Sequence, residues 1–333
     1  IEISCFSKEP FIKHVPFLII RSNIYNKSNY IIINVQSNMN LENLYILEDR
    51  GILYINGNDV TEFLQNLISN DINKVTIENT CFASLLTPQG KYLFDFIIIK
   101  HKSGFFIDCE KSQIDKLYTT LNTYKLRSNI EIINLSNEFT VAAISQEKFM
   151  TFEKAQNLPG NTINYNEDCI FLDPRNVKLG GRIIMNLEKL ELSIKKLNLK
   201  KSSPEEYYRH SYEMGIPQIN MNNLNNKIFG IECNFQELNG IDFKKGCYVG
   251  QENTARIKLK NKLSKRLLPL KLVEGKISID NKIRNKENEI GKVIMDNKFP
   301  FGVIKIGNES LDYNKIYETE EGKIKISMPD WIN

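Results

Sequence analysis

Residues 240–256, GIDFKKGCYVGQENTAR, hold more chemistry than a strand or a simple turn requires. Cys247 is a nucleophile or soft ligand, and Lys245 two positions earlier is a cation that would favour its thiolate. Gly246 and Gly250 permit backbone conformations or close approaches that a side chain would block. Lys244, Lys245 and Arg256 place positive charge around them, and Gln251 and Glu252 offer acceptors and donors to a heterocycle. Three roles are open for Cys247: metal or cluster ligand, redox thiol, or packed thiol. A tight turn into a helix, with solvated lysines, accounts for the same residues without any ligand. A nucleotide phosphate loop does not, because the G-x-x-x-x-G-K-S/T order is absent.

Further candidates lie upstream. Asp95 sits within the apolar run FDFIII, where a carboxylate is costly unless it is paired or faces a cavity. The alternative is an outward-facing polar residue on an alternating strand. Arg175 and Arg182 flank a glycine-containing turn, LDPRNVKLGGR, either holding it from the surface or offering guanidinium forks to a carboxylate. Asp173 is placed to cap that turn. Tyr248 is suited to stacking on a flat ring or to packing between domains.

These residues must be carried by a regular scaffold. GILYING reads as a strand closed by a glycine turn, and DVTEFLQNLISNDI as a helix with an Asp59/Glu62 capping box. CFASLLTPQGKYLFDFIIIK reads as a hairpin with Gly90 near its tip. GFFIDC is another strand, and residues 111–124 carry apolar side chains at helical spacing. Residues 130–201 form a second α+β stretch. SSPEEYYRHSYEMGIP opens a helix with Ser203 as N-cap, Pro204 at the first position and Glu206 closing a box, and Gly215 ends it. After Asn261, RLLPLKL, KISI, GKVIM, FGVIKI and KIKISM are short strands between polar turns, the pattern of a small antiparallel barrel of about 70 residues.

The 333 residues suffice for two or three domains with a buried interior. A formal charge of +4 is too small to argue for nucleic acid and fits an anionic small ligand or an acidic partner. The cysteines at 5, 81, 109, 169, 233 and 247 form no C-x-x-C pair and read as reduced thiols. With His14, His101 and His210 the only histidines, a His-based metal site is not expected, and no metal is assigned. No apolar run approaches the ~20 residues of a bilayer span. Residues 1–38 lack an amphipathic period and read as a non-core N-terminal extension, with Met39 as the natural start.

KGCYVGQENTAR resembles the K-G-C-F/Y-x-G-Q-E-x-x-x-R signature of the YgfZ family, folate-binding proteins of iron–sulfur cluster assembly and repair that are similar to the glycine-cleavage T-protein. LLTPQGKYLFDFII is similar to the family's T-x-x-G-K hairpin, LDPRNVKLGGR to its D-P-R segment and MGIPQ to its G-I-P. The resemblance runs from Met39 to the C-terminus. It implies an α+β, three-lobed aminomethyltransferase fold with a C-terminal antiparallel β-barrel. The first domain would comprise 39–130 and 202–260, a second α+β domain 131–201, and the barrel 262–333.

The resemblance further implies tetrahydrofolate, or another reduced folate, in a central cavity. Asp95 would meet the pterin, Arg175 and Arg182 the glutamate tail, and Lys245, Gly246, Tyr248, Gly250, Gln251, Glu252 and Arg256 would complete the site. The partners it implies are iron–sulfur carriers or clients reached through Cys247, with neither nucleic acid nor membrane. Residues 1–38, with Arg21 alongside Glu2 and Glu9, do not read as a transit peptide, which favours bacterial cytoplasm, with the mitochondrial matrix as the alternative. Two rival functions are a folate-dependent aminomethyl or one-carbon transferase and a non-catalytic interaction module; catalysis is left open, with non-enzymatic action favoured. The chain departs from the family pattern at Ser211, where the family usually has arginine, and at Gly230, where it often has proline. It also has Phe94-Asp95 where the aminomethyltransferase hairpin has paired aspartates.

Overall fold

The computed structural model describes residues 39–165, 168–307 and 311–332, so the N-terminal extension lies outside the described residues. The chain enters through β1 (Asn43–Ile46) and β2 (Arg50–Asn56), then α1 (Val60–Leu67). A hairpin follows, β3 (Cys81–Leu86) and β4 (Tyr92–His101), then β5 (Gly104–Glu110), α2 (Ile114–Lys125) and β6 (Glu131–Asn134). These strands form a five-stranded sheet in the order β3-β4-β5-β2-β6.

A second sheet is built from β7 (Phe139–Ile144), β8 (Thr162–Tyr165), β9 (Asp168–Leu172), β10 (Gly181–Asn186) and β11 (Lys200–Ser202), with α3 (Gln146–Phe149) and α4 (Leu187–Lys196) between them. Its order is β11-β1-β7-β10-β9-β8. β1 therefore belongs to this sheet although it precedes the first one, pairing parallel with β11 and antiparallel with β7. β6 in turn completes the first sheet beside β2. Such long-range pairing is set by cross-strand partners rather than local pattern, which is why a linear division at residue 130 does not follow the sheets.

α5 (Pro204–Glu213) and α6 (Gln251–Leu259) lead into the barrel, which closes in the order β12-β15-β14-β13-β16-β17. These strands are β12 (Lys265–Gly275), β13 (Lys282–Asn285), β14 (Asn288–Met295), β15 (Phe301–Lys305), β16 (Tyr317–Glu318) and β17 (Gly322–Ile326). Leu268, Leu270, Val293, Ile304 and Ile324 fill its interior, and closure leaves no sheet edge open.

Strand alternation sorts the first sheet into two faces. Phe94, Phe96 and Ile98 of β4 and Ile107 of β5 pack with Phe63 and Leu64 of α1 and Leu117 of α2. Ile97, Ile99 and Phe106 point the other way, into a core shared with Ile184, Tyr207, Leu267 and Phe301 from the second sheet, α5 and the barrel. Asp95 and Asp108 alternate onto this inner face, and Arg182 lies on the Ile184 face of β10, so charged groups line an otherwise apolar interior.

Two local readings differ. The Asp59 carboxylate does not cap α1 but accepts from the Asn129 amide at 2.6 Å. Ser203 does cap α5, accepting from the Glu205 amide at 3.3 Å, while Glu206 takes Ser202 Oγ instead of closing a box. In both cases a neighbouring segment offers the carboxylate a competing donor.

Candidate functional site

The predicted residues fall into two groups, one on the surface and one inside. The surface group is the 240–256 loop. Gly250 ends it at φ +81°, and a Cβ there would come within 2.4 Å of the Thr87 carbonyl oxygen. Only glycine permits both the left-handed backbone and that approach. It seats the start of α6 on the β3–β4 turn, where Asn253 Nδ2 donates to the Gln89 carbonyl at 2.8 Å. Gln251 folds back, its Oε1 accepting from the Tyr248 amide at 3.0 Å.

Lys245 explains how the rest of the loop is fixed. Its Nζ donates to the carbonyls of Gln65, Ile68 and Asn70 at 2.7, 2.6 and 2.9 Å. The Val249 amide takes Asn66 O at 3.2 Å and the Asp242 amide takes Ser69 O at 3.0 Å. The carbonyls left open at the C-terminal end of α1 are thus closed by the loop, and a cation there also complements the helix dipole. Burial pushes the Lys245 ammonium down to about 8, against the upward pull of Asp71 and Asp242. The Tyr248 ring lies 5.0 Å from Nζ, and burial raises its hydroxyl to about 12. Lys245 is therefore a structural clasp rather than a free cation beside a ligand.

Cys247 is exposed, whereas Cys81, Cys109, Cys169 and Cys233 are buried. Burial raises the thiols of Cys81 and Cys169 to about 12 and that of Cys109 higher still. Cys247 borders an open surface groove of ~590 Å³ with Tyr248, Glu252, Ala255, Arg256 and Leu259. Beyond its two chain neighbours, no atom lies within 4 Å of where a Cβ on Gly246 would stand, so the loop leaves open space beside Cys247.

The interior group is a chain of ion pairs. Arg50 Nε donates to Asp108 Oδ1 at 2.7 Å, and Arg182 Nη1 to Asp108 Oδ2 at 2.6 Å. Arg182 Nε reaches Asp173 Oδ2 at 3.0 Å, and its Nη2 reaches Gln218 Oε1 at 2.9 Å. Arg175 grips Asp173 through Nε and Nη2, at 3.0 and 2.7 Å. Burial alone would raise the Asp173 carboxyl, but the Arg175 and Arg182 charges outweigh it and hold it at about 2. Arg175 is 4% exposed and Arg182 fully buried, so neither guanidinium is left to take a glutamate tail. Asp173 does cap its turn, accepting from the Arg175 amide at 3.0 Å.

Asp95 is 9% exposed. Oδ1 accepts from the Tyr92 hydroxyl at 2.6 Å, and among the described residues Oδ2 has no hydrogen-bond partner. Burial raises its carboxyl despite Tyr92 and the charges of Arg50 and Arg175. Tyr92 also lies beside Gln113, whose Oε1 is buried without a partner. Asp95 Oδ2 and Gln113 Oε1 are thus two acceptors without a donor among the described residues. A separate small cavity beside Gln218, among Tyr208, Phe299 and Phe301, has a free volume of ~10 Å³, about one water. Among the described residues no hydrogen bond or ion pair joins this interior group to the Cys247 groove, and no cluster of His, Cys, Asp or Glu side chains could hold a metal ion.

Sequence reasoning missed Asp108, Arg50, Gln113 and Gln218. Asp108 carried the signal used for Asp95, an acid inside an apolar strand; Gln218 follows the G-I-P turn with nothing local to mark it. Ser211, one of the departures from the resembled pattern, donates to the Ile216 carbonyl and accepts from Gln218 Nε2, so it holds that turn.

A glycine-cleavage aminomethyltransferase T from Bartonella henselae superposes with a TM-score of 0.70, at 12% identity, over 89% of this chain and 88% of its own. The fold is that of an aminomethyltransferase. No protein-family model matches the chain. Its sequence is similar to proteins named iron–sulfur cluster assembly factor IBA57, mitochondrial, or homologues of it. The Dictyostelium discoideum protein is 27% identical over 67% of this chain and 61% of its own length. The Neurospora crassa protein is 29% identical over 67% and 52%, and the Mus musculus protein 27% identical over 68% and 65%. The chain thus spans little more than half to two thirds of these relatives.

Proposed function

We propose that this chain is an iron–sulfur cluster assembly factor that offers Cys247 as a thiolate ligand to a cluster passing between it and a partner. The carrying observation is the single exposed described thiol on a loop clasped to α1, with open space above Gly246. A cluster takes about four protein ligands, so one cysteine serves only where a partner brings the others. The cluster is cargo here, and the chain's own contribution is to hold one sulfur still and reachable. The relatives' names support this reading, as does the KGCYVGQENTAR segment for a place in the YgfZ family. Their mitochondrial designation supports the matrix over the cytoplasm.

Tetrahydrofolate is the proposed small ligand. Asp95 Oδ2 and Gln113 Oε1 would accept from the pterin edge, with Tyr92 orienting the carboxylate; Arg175 and Arg182 act as scaffold. When bound, the folate would supply a one-carbon carrier. Aminomethyl transfer is not carried forward, because the likeness to the transferase supports the fold alone.

The thiol's role is tested by mixing the protein anaerobically with a glutathione-ligated 2Fe–2S complex and following visible circular dichroism. With glutathione thiolates left to complete the ligand set, wild type acquires protein-bound cluster bands and Cys247→Ala does not. Equal bands in both would refute it.

A further inference from the structure

The thiol loop is clasped to α1 at Lys245, and its root is held elsewhere. Asn239 stands at that root with φ +58°. Its Nδ2 donates to the Pro174 carbonyl at 3.1 Å. Pro174 lies between Asp173 and Arg175, in the turn that joins β9 to β10. Among the described residues this is the one hydrogen bond from residues 236–250 to the second sheet or its turns.

That bond is one link of a relay. The Asn239 carbonyl accepts from Asn70 Nδ2 at 2.8 Å, and Asn70 Nδ2 also donates to the Phe82 carbonyl at 2.7 Å, so both amide hydrogens are taken. The Asn70 carbonyl accepts from Lys245 Nζ at 2.9 Å. Ser69 closes the same corner, its hydroxyl donating to the Gly240 carbonyl at 2.6 Å. No bond runs straight from the interior ion pairs to the Cys247 groove; Asn239, Asn70 and Lys245 span the distance in steps. The far end is stiff, because Asp173 and Arg175 are fixed by one another, by Arg182 and by Gln218. A turn residue alone accounts for the backbone, since asparagine tolerates the left-handed region. It does not account for the side chain: Asn198 and Asn226 hold φ +52° and +61° with side chains that make no hydrogen bond among the described residues.

We propose that Asn239 is the positioning residue of the thiol loop: it fixes the root of the loop to the Asp173–Arg175 turn, so that the buried ion pairs joining the two sheets set where the Cys247 sulfur stands. This rests on the reading of Cys247 as a cluster ligand and gives that sulfur a frame that includes the second sheet as well as α1. A ligand already held in place has less freedom to lose when a cluster binds, so Asn239 acts on affinity and leaves capacity alone.

The test uses the full chain as wild type, Asn239→Gly, Asn239→Asp and Asn198→Gly. Glycine keeps the left-handed backbone and the carbonyl that Asn70 needs, and removes the amide. Aspartate keeps the shape but its carboxylate cannot donate to Pro174. Asn198→Gly, between α4 and β11, controls for added backbone freedom. Each protein is titrated anaerobically with the glutathione-ligated 2Fe–2S complex and followed by visible circular dichroism. Half-saturation of both Asn239 variants should need roughly 2- to 10-fold more complex, the scale of one net hydrogen bond. Their plateau should stay at the wild-type level, and the control should not change. Amide exchange at Asp242 should quicken in both Asn239 variants with the β4 amides unchanged. Wild-type midpoints in both variants would overturn the proposal. So would a lowered plateau at an unchanged midpoint, because loss of folded protein reduces capacity without touching affinity. A shift confined to Asn239→Gly would overturn it as well, assigning the effect to backbone freedom. Cys247→Ala taking up cluster like wild type would sink the thiol reading alone; exchange at Asp242 would still decide whether Asn239 holds the loop.

Discussion

Arg182 donates to Asp108 at 2.6 Å and to Asp173 at 3.0 Å, so one buried side chain of β10 ties the five-stranded sheet to the second. Replacing it by Met leaves two buried carboxylates short of a partner. Breaking a buried pair from one side typically costs about 3–5 kcal/mol. Urea unfolding of Arg182→Met should show a loss of that order, and a loss below about 1 kcal/mol would mean the pairs are not buried as described.

Acid should act on the same network. Asp173 has its folded pKa lowered to about 2, below its unfolded value near 4. A depressed carboxylate contributes stability that is fully present above the unfolded value and lost as pH falls through the folded one. Between about pH 5 and pH 1 the chain should lose roughly 2–3 kcal/mol from this residue. Urea midpoints measured down that range should fall, and the fall should be smaller in Asp173→Asn, which starts less stable.

Asp95 has the opposite sign. Its folded pKa is raised by burial, so at neutral pH the charge is a liability to folding. Asp95→Asn keeps an acceptor for Tyr92 and removes the buried charge, so thermal stability at pH 7 should hold or rise. The tetrahydrofolate-induced shift in Tm should vanish, whereas wild type at 100 times its dissociation constant gains roughly 2.7 kcal/mol. Destabilisation of the free protein, or an undiminished folate shift, would count against the pterin assignment.

Legibility of this chain in its sequence follows how local each feature is. The barrel, the β3–β4 hairpin and the α5 cap announce themselves within a few residues, because turn residues and alternation act at short range. The exchange of β1 and β6 between sheets has no local trace. Cys247 was visible as chemistry, and so was Asp95. Arg175 and Arg182 were visible only as guanidiniums: what they hold depends on Asp108, 74 positions from Arg182, and Gln218, 43 positions from Arg175. Lys245 read as a ligand-facing cation because nothing nearby hints that α1, some 175 residues earlier, leaves its carbonyls open to it.

The clasp separates two glycines. Gly250→Ala places a Cβ 2.4 Å from Thr87 O at φ +81°, which should cost at least about 1–3 kcal/mol. Gly246→Ala meets open space and should leave the unfolding midpoint within about 0.5 kcal/mol of wild type. Lys245→Met should loosen the loop, seen as faster amide exchange at Asp242 and Val249 with the β4 amides unchanged. Equal stability in the two alanine variants would refute the close approach at Gly250.

The most direct measurement is the activity of 4Fe–4S enzymes in cells lacking the endogenous protein and supplied with wild type or Cys247→Ala at matched expression. The account predicts recovery with wild type and none above the empty vector with Cys247→Ala. Full recovery with Cys247→Ala would contradict it.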